Sequence, residues 1–234
     1  CGEVSVRKWT DIPAVPTTLF QSLHFTCFPV EEAETIFHTS GTTGSKPGIV
    51  RLRETDIYDL SARRHAEACL GSLPRRGISL VPTESTSSLG HMCRHFVPDM
   101  PTFFHAETGV DTTGAWAALA AAAECDEPLF IPGTAFALSD LLDAAEGEVR
   151  LPPGSVVMVT GGFKGRRKEV PAEILYSGLE RHLQGASVVS EYGMSELASQ
   201  LWAIPAASSF RPPPWLRVVA VDPWTGAPST RGLL

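Results

Sequence analysis

The chain has 234 residues, 43% of them hydrophobic and 19% charged, which is enough to form one large globular domain or two small ones. A net charge of −7 gives no general basic surface and argues against nucleic acid as a partner. No stretch has the length of a membrane-spanning helix and no signal peptide is recognisable. The five cysteines have no disulfide-framework spacing, so we expect a cytoplasmic protein without a membrane span.

Short apolar strands alternate with helices along the chain. The predicted helices cover residues 31–34 as a single turn, 54–73, 110–125, 137–145 and 171–183. The predicted strands cover residues 35–37, 49–50, 78–81, 128–131, 155–160, 186–190 and 215–221. Pro132 and Gly133 are expected to stop the strand over 128–131. This alternation is typical of βαβ units and predicts an α/β fold with a mainly parallel sheet flanked by helices, in which ligands gather beyond the carboxyl ends of strands.

The segment 37–48 is the most informative part of the chain. It follows a predicted strand and holds three glycines, five hydroxyl side chains and one lysine. Glycines allow a ligand to approach the main chain, consecutive amides form an anion-binding nest, and hydroxyls and a lysine add donors for phosphate oxygens. The segment therefore predicts a polyphosphate site, with ATP as its ligand. The residues that we expect to contact it are Thr39, Ser40, Gly41, Thr42, Thr43, Gly44 and Lys46.

The spacing in this segment excludes the Walker A loop of P-loop NTPases. That loop needs four residues between its glycines, followed by Gly-Lys and a hydroxyl residue. Here only two residues separate Gly41 from Gly44, and Pro47 follows Lys46. A Gly- and Thr-rich surface loop without function is the alternative interpretation.

A second group of candidate residues follows the predicted strand over 186–190. Tyr192 offers a flat face for a base, Gly193 allows close approach, and Glu196 is a carboxylate that suits Mg²⁺ beside a triphosphate. In this second group, the residues that we expect to contact nucleotide are Glu191, Tyr192, Gly193, Met194 and Ser195. A helix that begins here with Ser195 as its cap is an alternative that is compatible with function.

Together these motifs resemble the adenylate-forming superfamily of acyl-CoA synthetases, luciferase-type enzymes and nonribosomal adenylation domains. The first motif resembles the signature Thr-Ser-Gly-Thr-Thr-Gly-x-Pro-Lys-Gly, with lysine and proline exchanged at Lys46 and Pro47. The second resembles Tyr-Gly-x-Thr/Ser-Glu, which implies that Tyr192 stacks on adenine, Ser195 contacts the α-phosphate region and Glu196 binds Mg²⁺. The resemblance makes Thr39, Lys46, Ser195 and Glu196 the candidate catalytic residues.

A glycine turn after the strand over 155–160 also resembles the superfamily, where it lines adenine and the acyl group. The resemblance gives nucleotide contact to Gly161, Gly162 and Phe163, and substrate contact to Gly162. The basic cluster that follows either faces solvent or contacts a phosphopantetheine carrier or an acidic partner. It consists of Lys164, Arg166, Arg167 and Lys168.

Within the superfamily the chain resembles most the acyl-protein synthetase family of bacterial bioluminescence. Similarity covers nearly the whole chain. The segments that carry it are 11–20, 87–92, 161–166, 191–200, 212–218, 222–226 and 232–234. The resemblance implies that ATP and a fatty acid form acyl-AMP, and that the acyl group then moves to a protein thiol, from which a reductase partner takes it onward.

The resemblance also indicates what the chain lacks. The acidic residue for the ribose hydroxyls, the small C-terminal domain with its lysine and the acyl-accepting cysteine are all absent. We expect residues 1–234 to form the core of the large N-terminal domain, with two subdomains over roughly 1–150 and 151–234. Because the chain begins with Cys1 and ends at Leu234 amid fold-like sequence, it reads as truncated at both ends.

Several smaller features have competing interpretations. His91 either contacts the substrate in an acyl pocket or is an ordinary histidine, and a metal site shared with Cys93 and His95 is disfavoured because no second ligand cluster accompanies them. The phenylalanines line an acyl tunnel or belong to the core, which is the commoner outcome; they are Phe103, Phe104, Phe130 and Phe136. The cysteines other than Cys1 are expected to be buried structural thiols.

Two rival functions remain beside the acyl-protein synthetase. One is an acyl- or aryl-CoA ligase of the phenylacetate-CoA ligase type, which shares the adenylation step. The other is a non-catalytic module that binds an acyl group or a nucleotide.

Overall fold

The computed structural model describes residues 7–39, 46–162, 169–222 and 224–229. The α-helices are α1 (Asp56–Leu70), α2 (Ser88–Phe96), α3 (Thr112–Ala123), α4 (Ala135–Asp143) and α5 (Ala172–His182). The strands are β1 (Thr35–His38), β2 (Ile49–Leu52), β3 (Arg76–Gly77), β4 (Phe104–His105), β5 (Gly109–Val110), β6 (Leu129–Thr134), β7 (Val149–Arg150), β8 (Val156–Thr160), β9 (Leu183–Gln184), β10 (Ser187–Met194) and β11 (Ser199–Ala203). Short 3-10 helices cover Trp9–Asp11, Thr17–Gln21 and Val30–Glu32. No helix within these described ranges is long and apolar enough to cross a membrane.

A five-stranded sheet in the order β11-β10-β8-β6-β3 organises the molecule. The strands β3, β6, β8 and β10 are parallel, and β11 returns antiparallel to β10. The parallel strands lie in the sheet in the order in which they occur in the chain. Each connection between them therefore contains a helix and leads to the adjacent strand. The carboxyl ends of β6, β8 and β10 therefore meet at one edge.

Both faces of this sheet are buried, which explains its runs of consecutive apolar residues. Side chains alternate between faces along each strand. On β8, Val157 and Val159 pack in the cluster that includes α3, α4 and α5, whereas Val156 and Met158 pack in the cluster that includes α1 and α2. The sheet thus lies between two layers of helices.

A separate antiparallel hairpin of β1 and β2 flanks the Gly- and Thr-rich segment. Phe37 on β1 is buried and contacts Tyr58 on α1, with ring centroids 5.7 Å apart. This contact anchors the hairpin to the helix that covers the central sheet.

The predicted α/β class and mainly parallel sheet are confirmed, and most predicted elements occur within a few residues of their expected bounds. The division near residue 150 stays a prediction, although β6 and β8, on either side of it, pair in one sheet. The helix over Ser88–Phe96 was not among the predicted elements. Its start is nevertheless marked in the sequence, because the Ser87 side chain caps it by accepting the Gly90 amide at 3.0 Å.

Three predictions about strands were wrong. Pro132 and Gly133 do not stop β6: the Pro132 carbonyl accepts the Leu80 amide, so its missing N–H faces the edge strand and pairing with β8 continues. The strand over 186–190 extends to Met194 because β11 pairs with its second half, and Ser195 lies in a turn rather than capping a helix. In the described part of 215–221 there is no strand, and only Val221 forms an isolated bridge, to Pro228.

Replacing Leu138 by alanine should strongly destabilise the chain. Leu138 on α4 is fully buried, and its side chain fills the space that a Cβ on Gly133 would occupy. We expect the free energy of unfolding to fall by about 2–5 kcal/mol in urea denaturation. Leu60→Ala is the matched control, since Leu60 on α1 is 58% exposed and should change stability by less than about 0.5 kcal/mol. Similar losses for the two variants would contradict the assignment of α4 to the core.

Candidate functional site

A cleft of about 450 Å³ lies at the carboxyl edge of the central sheet. Its walls come from the 3-10 helix Thr17–Gln21, the end of β1, the starts of α1 and α2, the ends of β6 and β8, and the β10–β11 hairpin. The described residues that line it are Thr17, Thr18, Gln21, His38, Thr39, Tyr58, Pro82, Ser87, Ser88, Leu89, Met92, Thr134, Thr160, Gly161, Glu191, Tyr192, Gly193, Met194, Ser195, Glu196 and Gln200. It therefore gathers residues of both sequence motifs at the edge where parallel sheets bind ligands.

A row of three polar side chains forms the floor of the cleft. In the strand register Thr134 on β6 pairs with Thr160 on β8, and Thr160 pairs with Glu191 on β10. Residues paired in this way project from the same face of a sheet, with neighbouring strands about 4.8 Å apart. The Thr160 hydroxyl donates a hydrogen bond to Glu191 Oε2.

Glu191 is an unusual residue for this depth, since its side chain is buried and ionisable. Burial raises the pKa of its carboxyl group to about 7, and the hydrogen bond from Thr160 opposes this shift only in part. Gly193 makes room for the carboxylate, because a Cβ there would lie 2.5 Å from Glu191 Oε1. The negative charge of Glu191 in turn helps to raise the pKa values of Tyr58 and Cys93, for which burial is the larger cause.

Hydrogen bonds connect this floor to the helices above it. The Tyr58 hydroxyl donates to the Ser88 carbonyl at 3.2 Å, and Gln200 Nε2 donates to the Tyr58 hydroxyl at 3.4 Å. The hydroxyls of Ser88 and Ser195 are 2.8 Å apart. The first residue of α2 is thus tied to the β10–β11 turn, which holds Ser195 in a buried position.

The base of the Gly- and Thr-rich segment is closed by Thr39 and Gly48. The Thr39 amide donates to the Gly48 carbonyl at 2.9 Å, and the Gly48 amide donates to Thr39 Oγ1 at 2.8 Å. These bonds bring together the two ends of the chain between β1 and β2, and Thr39 itself lines the cleft. Lys46 is exposed and is not among the described lining residues.

Some predicted contacts lie outside the described residues. These are Ser40, Gly41, Thr42, Thr43, Gly44 and Phe163, together with the basic residues Lys164, Arg166, Arg167 and Lys168.

The β10–β11 hairpin presents the second motif to the cleft. Tyr192 is 48% exposed, with its ring 6.0 Å from that of Phe210, so part of its surface is free for a ligand. Met194 and Glu196 follow it along the same wall. Gly161, with a φ of +62°, turns the chain at the end of β8 and lines the opposite side, and Gly162 is exposed beside it.

His91 lies next to the cleft and not on its surface. Its Nε2 atom is 2.7 Å from Asp59 Oδ1 on α1, and His95, one turn further along α2, places Nδ1 3.8 Å from the second oxygen of Asp59. Among the residues that the structure describes, no group of three or more His, Cys, Asp or Glu side chains could hold a metal ion. Contact between His91 and substrate stays a prediction.

The predictions for the phenylalanines and the cysteines had different outcomes. Of the four candidate tunnel phenylalanines, Phe104, Phe130 and Phe136 are buried in the core, and none of the four is among the described residues lining the cleft. Cys93 is buried as expected, but Cys27 and Cys125 are exposed, so the expectation of buried thiols was wrong for these two.

The sequence analysis missed the polar floor and the groups beside it. Thr134 and Thr160 are both the last residues of buried strands, which is a signal the sequence does contain. Tyr58 and Gln200 reach the cleft from the first turn of α1 and from β11, and no local pattern marks them. Ser88 was quoted only as part of a resemblance, although it shares a hydrogen bond with Ser195.

Several proteins of known structure share this fold. No family model and no curated protein matches the chain. Solved structures do: o-succinylbenzoate CoA synthetase from Bacillus subtilis in complex with the acyl-adenylate intermediate OSB-AMP matches 86% of this chain and 39% of its own, with a TM-score of 0.56 and 19% identity. ATP-bound MatB from Rhodopseudomonas palustris matches 88% of this chain and 39% of its own, with a TM-score of 0.53 and 16% identity. VinN matches 89% of this chain and 50% of its own, with a TM-score of 0.57 and 15% identity.

At these identities the similarity concerns the fold. The chain has the fold of part of these solved proteins, and it spans 34% to 39% of the length of the first four solved chains it matches.

Replacing Glu191 by glutamine should change how stability depends on pH. The carboxyl of Glu191 has a pKa of about 7 in the folded chain and about 4.5 in the unfolded chain, so between these values the folded state binds the additional proton. Relative to Glu191→Gln, the wild-type chain should lose about 3 kcal/mol of unfolding free energy as the pH rises from about 4.5 to 7, with no further loss above about pH 8.

Urea denaturation across this pH range measures the difference. Glu180→Gln, at an exposed position on α5, is the matched control and should retain the wild-type profile. A relative stability that rises with pH would contradict the burial of Glu191.

Proposed function

We propose that this chain is part of an enzyme that uses ATP to activate a carboxylic acid as an acyl-adenylate with release of pyrophosphate. The observation that carries the proposal is the meeting of two motifs in one cleft. Thr39, at the base of the Gly- and Thr-rich segment, lines the same cleft as Tyr192, Ser195 and Glu196, which are more than 150 residues away in the chain. The fold shared with solved ATP-bound and acyl-adenylate-bound proteins supports it.

Each part of the cleft has a physical role in this proposal. The half-exposed ring of Tyr192 stacks on adenine, and the chain from Thr39 to Lys46 holds the β- and γ-phosphates through amides, hydroxyls and the lysine. Gly161 and Gly162 leave space beside the base, and contact of Phe163 with the nucleotide is part of the proposal. Ser195, fixed by Ser88, donates toward the α-phosphate.

The residues present fit a magnesium ion. Mg²⁺ is usually bound through one or two carboxylates together with substrate phosphates and water, so it does not need a site built wholly from protein groups. Glu196 is a carboxylate on the cleft wall, beside Ser195, and we propose that it holds the ion. When bound, Mg²⁺ neutralises charge on the phosphates.

Formation of the adenylate requires no nucleophile from the protein. An oxygen of the substrate carboxylate forms a bond to the α-phosphorus, the bond from that phosphorus to the bridging oxygen breaks, and pyrophosphate leaves with the electron pair. The chain contributes by holding the two reactants in line and by directing donors at the developing charge. Lys46, Thr39 and Ser195 are the proposed donors.

The fate of the acyl group is a further part of the proposal. Transfer of a fatty acyl group to a protein thiol, followed by a reductase partner, is what the resemblance to the acyl-protein synthetases supports. Transfer to CoA is the second candidate, favoured by the match to a CoA synthetase in the solved structures. Labelled acyl transfer to protein or to free CoA distinguishes the two.

Glu196→Gln should abolish most of the activity of the full-length protein. Loss of the carboxylate removes the proposed hold on Mg²⁺, and we expect ATP–pyrophosphate exchange to fall on the order of 100-fold or more. The measurement is acid-dependent exchange at several Mg²⁺ concentrations, with Glu180→Gln as the control. Retained exchange would refute the role of Glu196, and absence of exchange with every carboxylic acid in the folded wild-type protein would favour a non-catalytic binding module.

Thr39→Val should weaken the binding of Mg-ATP to this chain. The change keeps the shape of the side chain but removes the acceptor of the Gly48 amide, so the two ends of the Gly- and Thr-rich segment lose one of their two hydrogen bonds. We expect the dissociation constant to rise by about tenfold in isothermal titration calorimetry. Thr35→Val at the start of β1 is the matched control, and an equal effect of both variants would show that the change acts on the hairpin and not on the site.

A further inference from the structure

The floor of the cleft contains polar groups to which the proposed adenylation steps give no role, including Glu191, for which nucleotide contact stays a prediction. Thr134, Glu191 and Gln200 are exposed by only 6%, 5% and 4%, and all three line the cleft. Buried polar atoms are normally hydrogen-bonded, and each exception requires an explanation. These groups therefore indicate a ligand that completes their hydrogen bonds.

The three groups face the same space. Thr134, Thr160 and Glu191 form one row across β6, β8 and β10, and Gln200 pairs with Gly193, two residues beyond Glu191 on the same face of β10. Since Gly193 has no side chain, nothing from β10 separates the Glu191 carboxylate from Gln200. The row is covered by Tyr58 from α1, within one contiguous cleft.

The free atoms in this row can all accept hydrogen bonds, and the Thr134 hydroxyl can also donate one. The Tyr58 hydroxyl donates its proton to Ser88, so it must accept from Gln200 Nε2, and among the described residues the buried Gln200 Oε1 atom has no partner. In the same described part of the chain, the buried Thr134 Oγ1 atom has no partner either. Glu191 accepts one hydrogen bond, from Thr160, and within the described part of the chain it has no ion pair.

The charge of the cleft also favours a cationic ligand. Two glutamates line it, Glu191 and Glu196, and none of the described lining residues is a lysine or an arginine. Glu196 is accounted for by the proposed magnesium ion. The carboxylate of Glu191 has no such partner, and its buried position makes a compensating charge from a ligand favourable.

We propose that the acid activated in this cleft carries an ammonium group, which binds on the floor formed by Thr134, Glu191 and Gln200. An ammonium group has three N–H donors and no acceptor, which matches one carboxylate and two neutral acceptors. A plain alkyl tail would leave Thr134 Oγ1 and Gln200 Oε1 without a partner and the Glu191 carboxylate with only the hydrogen bond from Thr160. That the carboxylate of the ligand is activated rests on the proposed function. The ammonium subsite itself consists of protein groups and does not depend on ATP.

Direct binding to this chain tests the subsite by itself. The probes are n-butylammonium and n-butanol, titrated in the absence of ATP and followed by protein NMR. We expect the ammonium to bind at least about tenfold more tightly than the alcohol, and Glu191→Gln to remove this preference. Glu196→Gln is the matched control and should keep the preference within about twofold, because the proposed subsite does not include Glu196.

Three results would overturn the proposal. They are equal binding of the two probes to the wild-type chain, an unchanged preference in Glu191→Gln, and loss of the preference in Glu196→Gln instead. The last result would place the cation at the proposed magnesium position. Circular dichroism of each variant shows whether it is folded, and Glu191→Asp, which keeps the charge, should retain part of the preference if the charge is what matters.

Pyrophosphate exchange by the full-length protein tests the substrate. The panel pairs amino-substituted carboxylic acids with their unsubstituted counterparts over increasing separations of the two groups. At least one amino acid of the panel should support exchange about tenfold faster than its counterpart, and Glu191→Gln should abolish the difference. Exchange with unsubstituted acids alone would overturn the ammonium subsite and leave adenylation standing, whereas ammonium binding without any exchange would support the subsite and refute adenylation.

Discussion

The ladder of hydrogen bonds that joins β6, β8 and β10 determines where every group of the cleft lies. Its register aligns the last residues of the first two strands with Glu191 on the third. Because β10 continues beyond this row and pairs with β11, the second motif projects past the edge of the sheet. A shift of one residue in this pairing would turn Glu191 into the opposite layer and remove the floor of the cleft.

The chain reaches this arrangement through connections that cover both faces of the sheet. α3, α4 and α5 bury one face, whereas α1 and α2 bury the other and also supply cleft residues. Tyr58 therefore has two roles, since it packs in the hydrophobic layer and shares hydrogen bonds with Ser88 and Gln200, and Ser88 in turn shares one with Ser195. The cost of burying these polar groups is offset by their mutual hydrogen bonds, and two of the four described buried side-chain atoms without a partner, Thr134 Oγ1 and Gln200 Oε1, belong to residues that line the cleft.

Much of this could be predicted from the sequence because it depends on local signals. Apolar runs identified the buried strands, and glycine and hydroxyl spacing excluded a P-loop, whereas phosphate binding by that segment stays a prediction. The errors came from tertiary pairing. Pro132 continues a strand since its missing amide faces the edge, and Tyr192 lies on a strand only because a later segment returns beside it. The row of Thr134, Thr160 and Glu191 exists only in register between strands, so no local pattern of residues could reveal it.

The polarity of the floor changes the meaning of the family resemblance. A fatty acid was the substrate that the resemblance implied, yet the candidate tunnel residues Phe104, Phe130 and Phe136 are core residues, and the cleft ends in buried acceptors instead. The adenylation motifs would contact the phosphates and the base of ATP, which are the same whichever acid is activated. The floor would contact the part of the acid that differs from one substrate to another. The two parts of the cleft thus bear on different parts of the proposed reaction.

The central claim is that one cleft brings the two motifs together around ATP. A titration of the isotope-labelled chain with Mg-ATP, followed through backbone amide NMR signals, tests it most directly. The account predicts that the largest changes cluster at Thr39, Gly48, Gly161, Tyr192 and Ser195, with little change on the far side of the sheet around α3 and α5. Changes centred elsewhere, such as the separate cavity of about 430 Å³ beside Arg75 and Met100, or no change at saturating nucleotide, would contradict it.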